Sequence, residues 1–152
     1  IVEPFSVSHD AADPIGINVF AGNNKATIVT DTGVISDNIL RRIDDTTLLV
    51  LEANYDPHML RFGPYQSFLK QRVASDEGHL SNEMAAQALL MMKRPDFMQV
   101  ILAHRSENNN NSVLVTQTIG KMLVDGGVRI GPEMKLQHGQ PNEIVSIQSV
   151  ER

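Results

Sequence analysis

Met98-Gln99-Val100-Ile101-Leu102-Ala103-His104 is a nearly continuous apolar run that stops on a histidine. Its length and aliphatic character predict a buried strand, with the polar residue marking the strand's end. Leu48-Leu49-Val50-Leu51 repeats the pattern and stops at Glu52-Ala53-Asn54. It too reads as a strand buried on both faces. Between the two runs Ser81 is placed to cap a helix over residues 82–93, with Glu83 in its first turn and basic Lys93 and Arg94 at its end. After His104, the run Asn108-Asn109-Asn110-Asn111 leads into a second helix over about residues 113–124, closed by Gly126-Gly127. Strands alternating with helices define an α/β layered fold.

Upstream, residues 2–7 read as a strand ending in Ser8-His9-Asp10. Residues 15–20 and 26–30 flank the turn residues Gly22-Asn23-Asn24, which predicts a β-hairpin and therefore a mixed sheet. Asp31-Thr32-Gly33 ends the hairpin. A helix follows, capped by Ser36 or Asp37, with Ile39, Leu40 and Ile43 on its buried face. Residues 57–75 look helical but broken near Gly63-Pro64. From Val128 onward the pattern predicts a short β-ribbon that includes residues 143–148.

Composition narrows the classes. With 152 residues, 41% of them hydrophobic, the chain can bury a core of its own or form most of a larger domain. The first residues, Ile1 to Phe5, already read as a strand, and the expectation is a chain cut from a longer one. Cysteine is absent, which excludes disulfides and thiolate metal sites and fits a cytoplasmic location. No apolar run approaches the roughly eighteen residues of a membrane span, and no signal peptide is visible. The net charge of −5 argues against a basic coat for duplex binding, although bound cations could supply the local charge a phosphate needs.

His9, Asp31 and His104 each follow a strand, and strand ends in layered α/β proteins converge on one rim. Two imidazoles and a carboxylate suit Zn²⁺, Mn²⁺ or iron. Each also has an ordinary reading as a turn or surface residue, and spacing alone leaves both open. Asp10 and Asp13 are either partners of His9 or plain loop acids. Glu52 could orient ligands or serve structure, and structure is the favoured reading. Arg105 could reach a phosphate or face solvent, with solvent favoured. His58 and His138 fit no pattern, and Met91-Met92 reads as core.

Ser8-His9-Asp10, Thr30-Asp31-Thr32-Gly33, Leu51-Glu52-Ala53-Asn54, Gly78-His79-Leu80-Ser81-Asn82 and Leu102-Ala103-His104 occur in an order that resembles the later half of YycJ/WalJ-type metallo-β-lactamase-fold hydrolases. More distantly it is similar to ribonuclease Z. The resemblance implies part of an αββα sandwich with a mixed sheet, residues 1–152 forming its C-terminal portion without the first strands. It implies that His9 binds one metal, His104 a second, and that Asp31 bridges the two. His79 resembles a non-ligand histidine that acts at the scissile phosphate. The implied cofactors are two divalent ions, zinc or manganese, and the implied activity is a phosphodiesterase, a nuclease of 5′-exonuclease type.

The superfamily's His-x-His-x-Asp-His motif is absent: no two of the five histidines are separated by one residue. The expectation is thus half a metal site, with metal binding weak or absent in this chain, no activity in isolation, and self-association through an exposed sheet edge. Two alternatives stand beside the nuclease reading. One is a small-molecule phosphodiesterase or esterase of the same fold, favoured by the acidic chain and the lack of an aromatic platform. The other is a non-catalytic, self-associating α/β module.

Overall fold

The Gly22-Asn23 turn sets the register of the first half of the sheet, because Gly22 adopts φ 57°, a left-handed conformation that glycine enters without penalty. It joins β2 (Ile15–Ala21) to β3 (Asn24–Val29) with Ala21 opposite Asn24, and β1 (Val2–Ser6) pairs antiparallel on the outer side of β2. The computed structural model describes residues 1–147. From β3 onward the pairing is parallel, through β4 (Leu48–Glu52), β5 (Met98–Ala103) and β6 (Met134–His138). The sheet is mixed and runs β1 to β6 in sequence order. Since β1 and β3 are both antiparallel to β2, the C-terminal ends of β1, β3, β4, β5 and β6 all open on the same rim.

Among the described residues five helices accompany the strands: α1 (Asp37–Ile43), α2 (Pro57–Phe62), α3 (Ser67–Val73), α4 (Asn82–Met91) and α5 (Ser112–Asp125). Ser36, Asp56, Ser81 and Asn111 each accept a hydrogen bond from an amide of the first turn, which fixes where α1, α2, α4 and α5 begin. Gly63 ends α2, as the Gly63-Pro64 pair predicts. Helix α4 stops at Met91 because Met92 turns to extended geometry, so Lys93 and Arg94 lie beyond the helix rather than in its last turn as expected.

Ile39 and Ile43 of α1, Ala85 and Leu89 of α4, and Val115, Ile119 and Leu123 of α5 pack on Val29, Leu49, Leu51, Val100 and Leu102. The opposite face is less covered. Ile15, Val19 and Ile28 are exposed, and Leu48, Val50 and Ile101 are half-buried. The expectation that β4 is buried on both faces is corrected here: the core helices line one side, and alternate residues of β4 remain partly open.

A smaller cluster of Tyr55, Leu60 and Val73, with Tyr65 and Leu69, holds α2 and α3 together. The expected ribbon from Val128 onward is met in part. It contains β6, a parallel partner of β5, but residues 143–147 carry no strand and Gln148 lies outside the described residues. Among the described residues no helix is long and apolar enough to cross a membrane.

Candidate metal centre

The rim gathers one polar side chain from almost every strand end. His9 follows β1, Asp31 follows β3, Glu52 closes β4 and His104 follows β5. His79 arrives from the loop before α4. His9, Asp31, His79 and His104 all line one cavity of about 440 Å³. The expected His9, Asp31 and His104 are therefore brought together: an Asp31 oxygen lies 3.7 Å from His9 Nε2 and 3.7 Å from His104 Nδ1. The His79 ring sits between the other two imidazoles, with ring centres 5.1 Å from His9 and 5.2 Å from His104.

Glu52 organises this group. It is completely buried, and its Oε1 accepts from His79 Nδ1 at 2.8 Å and from His104 Nδ1 at 2.6 Å. Its Oε2 accepts from the backbone amides of Thr32 at 3.3 Å and Leu80 at 3.1 Å. Burial by itself would raise the Glu52 carboxyl, but the hydrogen bonds from His104 and His79, with the charge of His79, hold it below the ordinary glutamate value. In return the hydrogen bond to Glu52 holds His104 above the usual imidazole value, against the opposing effect of burial.

Tautomers follow from the acceptors. A carboxylate and a carbonyl can only accept, so His79 and His104 present Nδ1–H to Glu52, and His9 presents Nδ1–H to the Gly78 carbonyl at 3.0 Å. In its neutral form each ring keeps its Nε2 lone pair, the arrangement that outer hydrogen bonds give to metal-binding histidines. Asp31, Glu52, His79 and His104 also have ligand atoms within 4.8 Å of one another. Glu52 is the weak member of that set, because both of its oxygens are already committed to protein donors. Asp31, with a side chain 42% exposed, is the carboxylate left open. The donor set of free imidazole nitrogens and one open carboxylate fits a borderline divalent cation.

Local backbone geometry supports this placement. Asp31 and His104 both have left-handed φ, 55° and 50°, in a region that non-glycine residues enter sparingly and that clusters at functional sites. Asn54 steadies the second of these by donating Nδ2–H to the His104 carbonyl at 2.8 Å, while its own carbonyl accepts from Ser106 N at 2.9 Å. Gly78 passes so close to the Arg72 and Val73 carbonyls that a Cβ would collide with them. That approach lets His79 N bond to Val73 O at 2.9 Å and points the following residues into α4.

Behind the rim, Asn82 and Asn110 exchange side-chain hydrogen bonds at 3.1 and 2.8 Å, and Asn110 also donates to Ala53 O at 3.0 Å. This buried amide pair ties the α4 start and the Asn loop to the end of β4.

The remaining sequence candidates separate cleanly. Asp10 Oδ1 lies 3.6 Å from His9 Nε2, but its carboxylate also takes a two-pronged contact from Arg72, whose hydrogen bond lowers the Asp10 pKa. Asp13 is exposed and makes no contact with the site among the described residues. His58 packs at a tilt against Phe62, and His138 bonds Thr116, so neither joins the group. Sequence reasoning missed Asn54 and Asn110 and favoured a structural role for Glu52. The available signals were an acid closing an otherwise aliphatic strand and a run of four asparagines longer than a cap requires.

The fold and this rim define a class. The chain superposes on YhfI from Bacillus subtilis, described as a metallo-β-lactamase fold protein, with a TM-score of 0.61 and 11% identity, over 91% of this chain and 46% of that one. Zn(2+)-bound PqqB from Methylobacterium extorquens matches with a TM-score of 0.53 and 16% identity, over 90% of this chain and 44% of that one. Human tRNase Z, short form, gives 0.51 and 21% over 70% of this chain and 36% of that one. The chain has the metallo-β-lactamase fold.

Its sequence is similar to curated proteins named YycJ and WalJ. It is 36% identical over 149 residues to Exodeoxyribonuclease YycJ of Bacillus anthracis, covering 98% of this chain and 56% of that protein. It is 33% identical over 141 residues to Exodeoxyribonuclease WalJ of Streptococcus pneumoniae, covering 93% of this chain and 52% of that protein. The chain thus spans about half the length of the curated relatives it matches. No protein-family profile matches it.

Proposed function

We propose that this chain supplies the later ligands of a two-metal phosphodiesterase centre, and that the full-length protein is a nuclease of 5′-exonuclease type. The observation that carries the reading is the convergence of His9, Asp31 and His104 on one cavity with their coordinating atoms left free. His9 and His104 would each hold a divalent ion, zinc or manganese, through Nε2, and Asp31 would bridge the pair. Such ions would supply an activated water and charge stabilisation at the phosphate. Glu52 fixes the orientation of His79, which lines the same cavity and, once its ring takes up a second proton, can hand one to the leaving oxygen. Asp10 steadies the His9 side of the cavity through Arg72, and Asp13 takes no part.

The names of the sequence relatives support a DNA substrate. Tyr65, carried to the cavity by the link between α2 and α3, offers a ring for base stacking that the sequence alone did not reveal. A small phosphodiester substrate remains the second reading, favoured by the net charge of −5. The partly uncovered apolar face of the sheet is where we place the second sheet of the αββα sandwich, with residues 1–152 as the C-terminal portion of one domain in a cytoplasmic enzyme. On this reading the isolated chain is inactive, binds metal weakly and self-associates through exposed sheet surface.

Full-length protein, loaded with Zn²⁺ or Mn²⁺, should degrade 5′-labelled DNA and lose that activity in His104→Ala. Turnover of cyclic phosphodiesters with no action on DNA or RNA would replace the nuclease reading by the small-substrate one. Equal turnover by the isolated chain and the full-length protein would contradict the half-site.

A further inference from the structure

Arg105 follows His104 directly and borders two cavities: the metal-side one and a neighbour of about 620 Å³. The neighbour lies between the ends of β5 and β6 and the start of α5, walled by Ala103, Asn111, Ser112, Gly139 and Gln140. Arg105 Nη1 is shielded from solvent and has no hydrogen-bond partner. A guanidinium N–H stripped of water and left without an acceptor is costly, and such groups in native proteins mark a missing ligand or partner.

The other arginine on the metal-side cavity, Arg72, offers a contrast. Its charge is engaged by both oxygens of Asp10. Arg105 has no ion pair among the described residues. Glu107 borders both cavities, yet it is exposed and leaves Arg105 unpaired. A second orphan lies close by: His138 Nδ1 is buried without a partner, while its Nε2 bonds Thr116 Oγ1 at 2.9 Å. Burial and the nearby Arg105 charge both push His138 towards its neutral form, so the positive charge in this corner is the guanidinium's. The first turn of α5 adds positive potential to the same wall.

A planar fork of donors suits an oxyanion with paired acceptors. Beside a centre that cleaves phosphodiesters, the oxyanion within one nucleotide's reach is the next phosphate of the strand. We propose that the cavity between β5, β6 and α5 is a second phosphate subsite, in which Arg105 holds the phosphate adjacent to the one cleaved.

The inference rests on the nuclease reading for its ligand, and its test separates the two. Full-length metal-loaded protein is compared with Arg105→Gln on a thymidine trinucleotide and on thymidine 5′-p-nitrophenyl phosphate, which has a single phosphodiester. The trinucleotide KM should rise roughly tenfold while the single diester is turned over as before. Equal losses on both substrates, or no change on either, would overturn the subsite.

Binding of a fluorescent trinucleotide in chelator decides the matter without catalysis. Weakening of about tenfold in Arg105→Gln, partial recovery in Arg105→Lys and tighter binding in Glu107→Gln support the site. No binding by the unaltered protein, or equal binding by Arg105→Gln, removes it. If the holoprotein cleaves no phosphodiester but Arg105-dependent binding persists, the nuclease reading fails and the anion subsite stands. Unchanged thermal melting of the variants ties any loss to Arg105 rather than to folding.

Discussion

The rim holds carboxylates in two ways. Glu52 is sealed, with one oxygen shared by two imidazoles and the other by two backbone amides. Asp31 stands at the mouth of the cavity, close to His9 and His104 but hydrogen-bonded to neither. The contrast separates two jobs that sequence treats alike. A buried acid with every lone pair spent is a brace, whereas an open acid between two imidazoles is available to a cation. The first should be felt in stability and geometry, and the second almost entirely in binding.

Removing the brace gives the largest expected effect. Glu52→Ala strands two buried amides and leaves two imidazoles without their acceptor, and should cost about 3–5 kcal/mol in urea unfolding. A stability close to the unaltered chain would deny Glu52 its bracing role. Glu52→Gln keeps shape but replaces one acceptor by a donor. It should fold, with metal affinity of the full-length protein reduced roughly 10–100-fold in a calorimetric titration.

Asp31→Asn tests the open acid. Asparagine tolerates the left-handed backbone at this position as well as aspartate does, so stability should stay within about 0.5 kcal/mol. Metal binding should nevertheless be lost. An Asp31→Asn protein that binds metal normally would move the bridging role elsewhere. The smallest effect belongs to Asp10→Asn: its exposed pairing with Arg72 is a surface ion pair, and the urea midpoint should not shift measurably.

Much of the fold was legible because local chemistry agreed with global packing. Leu48 to Leu51 and Met98 to Ala103 are strands, and Ser36, Ser81 and Asn111 cap helices, as their sequence context predicts. Within the β structure expected from Val128 onward, Met134 to His138 was not picked out, because it is a short edge strand of mixed polarity with little pattern to betray it. One-sided burial of the sheet was also hidden, since continuous apolar runs look the same with one face covered or two.

At the site, the meeting of His9, Asp31, His79 and His104 around one cavity accords with the order in which the resemblance set them. The connections among them could not. That Glu52 bonds two histidines 27 and 52 positions away is a product of parallel strand ends meeting at one rim. Asn54 and Asn110 were invisible for the same reason, because their partners are distant in sequence and close only in the folded chain.

The most direct test of the half-site is imidazole nitrogen NMR of this chain, with and without millimolar Zn²⁺. The account predicts Nδ1–H tautomers for His9, His79 and His104 before addition. Zinc should then shift Nε2 of His9 and His104 and leave His58 and His138 unmoved. Nε2–H tautomers at those rim histidines, or zinc shifts confined to His58 and His138, would contradict it.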